Sequence, residues 1–248
     1  MLEINKIYCA DCLEKMKEIE NKSIDCILAD LPYQITACSW DTIIPFEPLW
    51  EQYKRIIKDN GAIVLTASQP FTSKLVMSNL EMFKYEWIWE KTIASGNLTA
   101  KYQPMRNHES VLVFCSGKTK YNPIKQKRSK NTHTSKGGEY KIKSDNRVGI
   151  AINKPQHPDD LVFPTTVKLF SSVPRPHCKH PTQKPIKLGQ YLIKTYTNKG
   201  DLVLDNCCGS GSFLIAAILE ERNYIGIEKE EKYCEISKKR INEIIQKI

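Results

Sequence analysis

One apolar run in this chain ends in a way that few folds accommodate. Ile24, Cys26, Ile27, Leu28 and Ala29 form a short hydrophobic stretch, the pattern of a strand buried on both faces of a parallel sheet, and it stops at Asp30-Leu31-Pro32-Tyr33. The carboxyl edge of such a strand is where open α/β sheets bind ligands. Pro32 fixes its own φ and holds Leu31 extended, so the Asp30 carboxylate and the Leu31 carbonyl can face one pocket. Two acceptors beside the Tyr33 ring suit a planar group that carries an amino function. The same residues would also make an ordinary strand exit, with Pro and Asp as turn formers. The corner therefore needs a second constellation before it acquires a meaning.

The remainder of the chain repeats a strand–helix rhythm. A weak strand over residues 4–8 precedes a helix over 13–19 with Asp11 as its N-cap. Pro45 and Pro48 introduce a helix over 49–58, for which Asn60-Gly61 is the expected stop. Residues 61–67 read as a second buried strand, and Pro70 opens a helix over 71–80. Residues 85–89 and 110–115 read as strands, with 92–107 as a long loop between them. Towards the C-terminus come a helix from Pro185 to Tyr196, a strand over 201–205, the turn Asn206-Cys-Cys-Gly-Ser-Gly211 and a helix over 212–222. A strand over 224–228 ending on Glu228 and an amphipathic helix over 231–248 complete the pattern. This is the signature of a doubly wound, mostly parallel α/β sheet.

Residues 117–154 break the rhythm. Lys118, Lys120, Lys125, Lys127, Arg128, Lys130, Lys136, Lys141, Lys143, Arg147 and Lys154 face only Glu139 and Asp145 there, and Tyr121 and Tyr140 interleave with them. Most of the formal charge of +9 thus sits in one segment, which reads as an inserted nucleic-acid contact in preference to a solvated loop. We expect residues 1–116 and 179–248 to be two halves of one domain, with 117–178 as the basic insert. No apolar run approaches a membrane span and no secretory leader is expected from the first residues, which already mix charge. Nine cysteines then imply a reduced, cytoplasmic setting. Cys9 and Cys12 form a single C-x-x-C without a second, and His177-Cys178-Lys179-His180 is too compressed for a ligand set, so no metal is expected.

The second constellation is the bend at 205–212. Gly209 and Gly211, between a strand and a helix, let the backbone approach a ligand, and Glu228 at the end of the next strand is placed to accept from two ribose hydroxyls. A dinucleotide site fits less well. Leu214 stands where the last glycine of that fingerprint belongs, and Asp205 would repel a pyrophosphate but suits a cationic amino-acid moiety.

With both constellations in view, the chain resembles the S-adenosylmethionine-dependent DNA amino-methyltransferases, in their circularly permuted, beta-type order. Asp30-Leu31-Pro32-Tyr33 stands in the place of that family's catalytic motif, with Leu31 supplying by its carbonyl what the family's first proline supplies. Asp205, Asn206, Cys207, Gly209, Gly211 and Ser212 resemble its cofactor loop, and Glu228 its ribose acid. His180, Thr182 and Lys184, in His180-Pro-Thr-Gln-Lys-Pro185, resemble the element beside the methionine end of the cofactor, and Asp11-Cys12 a position against its adenine. His108-Glu109 ahead of Val111 is also familiar from this group. The resemblance implies direct methyl transfer to a flipped-out base in double-stranded DNA. The leading aspartate leans towards adenine N6 over cytosine N4. An RNA or protein amide methyltransferase, an inert nucleic-acid-binding module, a homodimer and an associated restriction enzyme all stay open at this point.

Overall fold

All six residues of β2 (Ile24–Ala29) are buried, because this strand lies inside the sheet with helices on both faces. The computed structural model describes residues 2–36, 38, 40–127, 161–174, 180 and 182–248. Its main sheet comprises β1 (Lys6–Cys9), β2, β3 (Ile57–Ala67), β4 (Phe83–Ser95), β5 (Arg106–Phe114), β8 (Val167–Phe170), β9 (Leu202–Asp205) and β10 (Asn223–Glu228). The strand order is β1-β10-β9-β2-β3-β5-β4-β8, and only β5 runs against its neighbours. The expected mostly parallel, doubly wound sheet is what the chain forms.

The alternation of side chains across the strands divides the core in two. Ile27, Ile63, Leu65, Leu112 and Leu204 pack under α1 (Cys12–Met16), α2 (Phe46–Ile56) and α3 (Phe71–Ser78). Cys26, Leu28, Val64, Val113 and Val203 pack under α4 (Ile186–Tyr196), α5 (Ser212–Leu219) and α6 (Glu231–Ile245). Both faces of the central strands are therefore dry.

Two expectations are corrected. Asn60-Gly61 does not stop a helix: α2 ends at Ile56, and Ile57 is already extended at φ −73° and ψ 140°. Pairing runs Ile24 to Ile57 and then Cys26 to Ala62, so residues 58–61 bulge out of β3. Gly61 is needed for the close approach there, since a Cβ would lie 2.8 Å from the Ile57 side chain and 2.9 Å from the Asp25 carbonyl. The long loop is shorter than expected, since residues 92–95 and 106–107 belong to strands and 96–105 connect them. β4 continues to Ser95 and β5 begins at Arg106, with Glu90 opposite His108 and Trp89 opposite Glu109.

Residues 167–170, counted with the basic insert from the sequence, are the edge strand β8, parallel to β4. Contacts within the chain separate Met1–Asn122 with Thr165–Ile248 from a smaller unit, Pro123–Pro164. In the smaller unit β6 (Gln126–Lys127) pairs antiparallel with β7 (Leu161–Val162), and the Lys125 ammonium lies 5.7 Å from the centre of the Phe163 ring. Among the described residues no helix is long and apolar enough to cross a membrane.

Candidate active site

β2 and β9 are neighbours, with Cys26 beside Val203 and Ile27 beside Leu204. From β2 the chain builds the sheet outward through β3, and from β9 it builds the other way through β10, so these two strands flank the switch point where such sheets open a crevice. Asp30 follows β2 and Asp205 ends β9. Both corners open into one cavity of about 1390 Å³. Asp11, Cys12, Asp30, Leu31, Pro32, Tyr33, His180, Thr182, Lys184, Asp205, Asn206, Cys207, Gly209, Ser212 and Glu228 line it. Gly211 does not. Its φ of +75° caps α5, and a Cβ there would sit 3.0 Å from that of Ser237, so this glycine serves the packing of α5 on α6.

The Asp30 corner is held from three sides. The Tyr33 hydroxyl donates to Asp30 Oδ1 at 2.7 Å and the Thr66 hydroxyl to the same oxygen at 2.5 Å, while Lys184 Nζ reaches Oδ2 at 2.7 Å. Lys184, expected among cofactor contacts, lines the cavity and places its ammonium on the Asp30 carboxylate. It is buried and stands 3.4 Å from Glu109 Oε2; the other Glu109 oxygen accepts from Lys91 at 2.5 Å. Burial alone would push the Glu109 carboxyl up, but Lys184 and Lys91 hold it below the usual carboxylate range. Burial would likewise lower the Lys184 ammonium, and Asp30 and Glu109 hold it above its ordinary value. The Tyr33 ring is backed by Phe71, stacked at 5.1 Å, and Leu31 turns its side chain into the core.

The strap after Tyr33 is pinned by Asp41, which accepts from the backbone of Gln34, Ile35 and Thr36 at 2.7 to 2.9 Å and from the Thr36 hydroxyl at 2.7 Å. Beyond it, Trp40, His180 and Tyr233 cluster, with ring centres 5.0 Å apart for Trp40 and His180 and 4.2 Å for His180 and Tyr233. Burial, with Lys184 adding, pushes His180 down to about 4, so its imidazole is neutral at physiological pH. Thr182 bonds to His180 Nδ1 through its hydroxyl at 3.1 Å.

On the glycine-bend side, burial pushes the Asp205 carboxyl well up, with Asp30 and Glu228 adding to the shift. Cys207 N donates to it at 3.2 Å, and among the described residues no Lys or Arg pairs with it, so its charge suits a cationic amino-acid group. Glu228 accepts from Gly209 N at 2.7 Å and Glu230 N at 2.9 Å, one on each oxygen, leaving a lone pair on each for a diol. Asp11 caps α1, accepting from Leu13 N at 2.9 Å, and the Cys12 and Cys207 thiols hydrogen-bond to one another, lowering the Cys12 pKa and raising that of Cys207. Asn206 is spent differently from expectation. Its side-chain oxygen accepts from the buried Tyr53 hydroxyl at 2.6 Å, so it anchors the bend to α2. A buried acid without a cationic partner among the described residues, a carboxylate held by two backbone donors and an aromatic wall fit S-adenosylmethionine in charge and polarity.

The basic residues divide. Lys120 pairs with Asp201 at 2.6 Å, and its backbone donates to Asn60 at 3.0 Å. It therefore fastens the amino edge of the sheet, on residues that do not line the cavity. Lys118 precedes it along the same edge, where Gly117 lies against the Asp59 carbonyl. Lys125 and Lys127 belong to the smaller unit. Arg128, Lys130, Lys136, Lys141, Lys143, Arg147 and Lys154 lie outside the described residues. The sequence missed Thr66, Lys91, Asp41 and Tyr53. The one available signal was Thr66, a lone polar residue near the end of an apolar strand.

The N6_N4_Mtase family model, described as DNA methylase, matches residues 24–239. Type II methyltransferase M2.MboI of Moraxella bovis is 30% identical, covering 96% of this chain and 88% of that protein. The DNA adenine methyltransferase YhdJ of Escherichia coli (strain K12) is 27% identical, covering 97% and 83%. The M1.HpyAVI-SAM complex superposes with a TM-score of 0.66 at 25% identity over 96% of this chain and 98% of that one. The cytosine-N4-specific PvuII DNA methyltransferase shares the fold, with a TM-score of 0.67 at 14% identity over 100% and 93%. Fold and site together define an S-adenosylmethionine-dependent methyltransferase. The chain belongs to the DNA methylase family of the N6/N4 type.

Proposed function

We propose that the chain methylates adenine N6 at a specific site in double-stranded DNA, by direct transfer to a base flipped out of the helix. The observation that carries this reading is Asp30, a carboxylate fixed by three donors and opening on the same cavity as Asp205 and Glu228. An exocyclic amine is a poor nucleophile because its lone pair is delocalised into the ring. Acceptance of its two N–H bonds by Asp30 and the Leu31 carbonyl favours the pyramidal form that can attack, and the cost of arranging these acceptors is met on folding. S-adenosylmethionine supplies the electrophilic methyl on its sulfonium. Asp205 is placed to hold the cationic end of that molecule and Glu228 its ribose. Tyr33, with Phe71 behind it, is the stacking surface for the base.

Base extrusion costs about a few kcal/mol, which contacts to the strand must offset. The hairpin between β4 and β5 forms part of the cavity wall and presents Leu98 and Tyr102 nearly fully exposed, so we assign it to this task along with the basic residues beyond Lys120. The type II relatives support a restriction–modification setting, and with it a reduced, cytoplasmic location. The aspartate and the similarity to an adenine methyltransferase favour N6. Cytosine N4 is the second reading, favoured by the shared PvuII fold. Asp30→Ala should abolish transfer of radiolabelled methyl to DNA with binding of S-adenosylhomocysteine, which lacks the sulfonium charge, nearly unchanged, and digestion of the labelled DNA to nucleosides identifies the base. Full activity in Asp30→Ala would remove this carboxylate from the mechanism.

A further inference from the structure

Four charged side chains from four parts of the chain form an alternating row into the cavity. Lys91 on β4 meets Glu109 on β5 at 2.5 Å, Glu109 faces Lys184 at 3.4 Å, and Lys184 holds Asp30 at 2.7 Å. Formal charges along the row cancel. Glu109 Oε2 has no hydrogen bond of its own, although it is buried and its residue lines the cavity. Glu109 Oε1 is bonded to Lys91, and towards Lys184, 3.4 Å from Oε2, the carboxylate acts through its charge.

We propose that Glu109 is a positioning residue whose charge neutralises Lys184, so that Lys184 can fix Asp30 without leaving the cavity positive. The inference rests on the methyl-transfer reading. Without Glu109 the row would sum to +1, facing a donor that carries a sulfonium and an amine that gains positive charge as it is methylated. Both would be disfavoured at the low effective dielectric of a buried site. The groups facing the row are Tyr33 from the corner after β2, His180, which is neutral, and Asp205 at the end of β9, a carboxyl that burial pushes well up, with Asp30 adding. None of these would compensate for the lost carboxylate.

Glu109→Gln keeps shape and removes charge. Binding of S-adenosylmethionine and of S-adenosylhomocysteine, which differ at the sulfonium, is measured by calorimetry on the full chain. The substitution should weaken the first by about tenfold and the second by less than about twofold. kcat should fall by about a hundredfold with KM for DNA little changed. Glu109→Asp should restore most of kcat, and Glu109→Gln with Lys91→Met, which returns the row to neutral, should restore the affinity ratio. The alkaline limb of kcat should also move to lower pH in Glu109→Gln, since Lys184 loses one of the two carboxylates that raise its pKa. An equal loss for both ligands, or an unchanged kcat, overturns the proposal. If Glu109→Gln proves too unstable to purify, Lys91→Met, which takes the row to −1, should shift the affinity ratio the opposite way, in favour of S-adenosylmethionine, and an unchanged ratio overturns the proposal. A wild-type chain that transfers no methyl to DNA would instead sink the underlying reading, while the affinity ratio would still report on Glu109.

Discussion

Replacing Lys184 by Met tests the buried row by its stability. The ammonium is 7% exposed and its partners are 20% and 12% exposed at Asp30 and Glu109, so the pair is not a screened surface contact. Removing one partner of a buried ion pair costs about 3–5 kcal/mol, because the remaining charge loses its compensation. Asp30 keeps its bonds from Tyr33 and Thr66, and Glu109 keeps Lys91, so the lower end, about 3 kcal/mol, is expected. For a chain of this size that is a fall of about 6–12 °C in Tm. The pH dependence has a definite sign. Glu109 is held below its ordinary value, so its contribution is present above the unfolded pKa and is lost as pH falls through the folded one. Lys184 is raised, so its contribution is full below its unfolded pKa and is lost only as pH rises through the folded value. In the variant, burial acts on Glu109 with one counter-charge fewer, its pKa rises, and acidification relieves the strain. The gap from wild type, read by urea unfolding, should therefore be smaller near about pH 5 than near about pH 8. A gap below about 1 kcal/mol, or one that widens on acidification, would refute this account of the row.

Three further outcomes follow from the glycine-bend side. Tyr53→Phe removes the donor to Asn206 and leaves a buried oxygen unpaired, which should cost about 1–3 kcal/mol in urea unfolding and raise the Kd for S-adenosylmethionine as the bend loosens. Because burial pushes Asp205 well up, cation binding should drive off its proton, so affinity should fall as pH drops through that pKa. Calorimetry in buffers of different ionisation enthalpy should accordingly show proton release. Gly211→Ala should destabilise more than Gly209→Ala in denaturant titrations: both φ are positive, +75° and +51°, but the added Cβ meets Ser237 at 3.0 Å in the first and only the His180 ring at 3.6 Å in the second.

What the sequence made legible, and what it hid, divides along a physical line. β2 and β9 lie inside the sheet, so they write themselves as apolar runs, broken in β2 only by Asp25, and the acid that follows or ends each run marks the rim of the crevice. The β4–β5 hairpin hid because its strands continue through Glu90, Lys91, His108 and Glu109, charges that look like loop until they are seen paired across the ladder. The support of Asp30 hid for a related reason. Thr66 and Lys184 lie 36 and 154 residues away in sequence, so no local window contains the bonds that hold the carboxylate. Asn206 shows the same limit inside a well-marked motif, since its position was plain while its partner, Tyr53, lay on another element. The register shows what extra knowledge would have sufficed. With Ala29 paired to Leu65, the next residue on each strand brings Asp30 beside Thr66, so the pairing of β2 with β3 in that register would have turned a lone threonine in an apolar run into a named partner of Asp30.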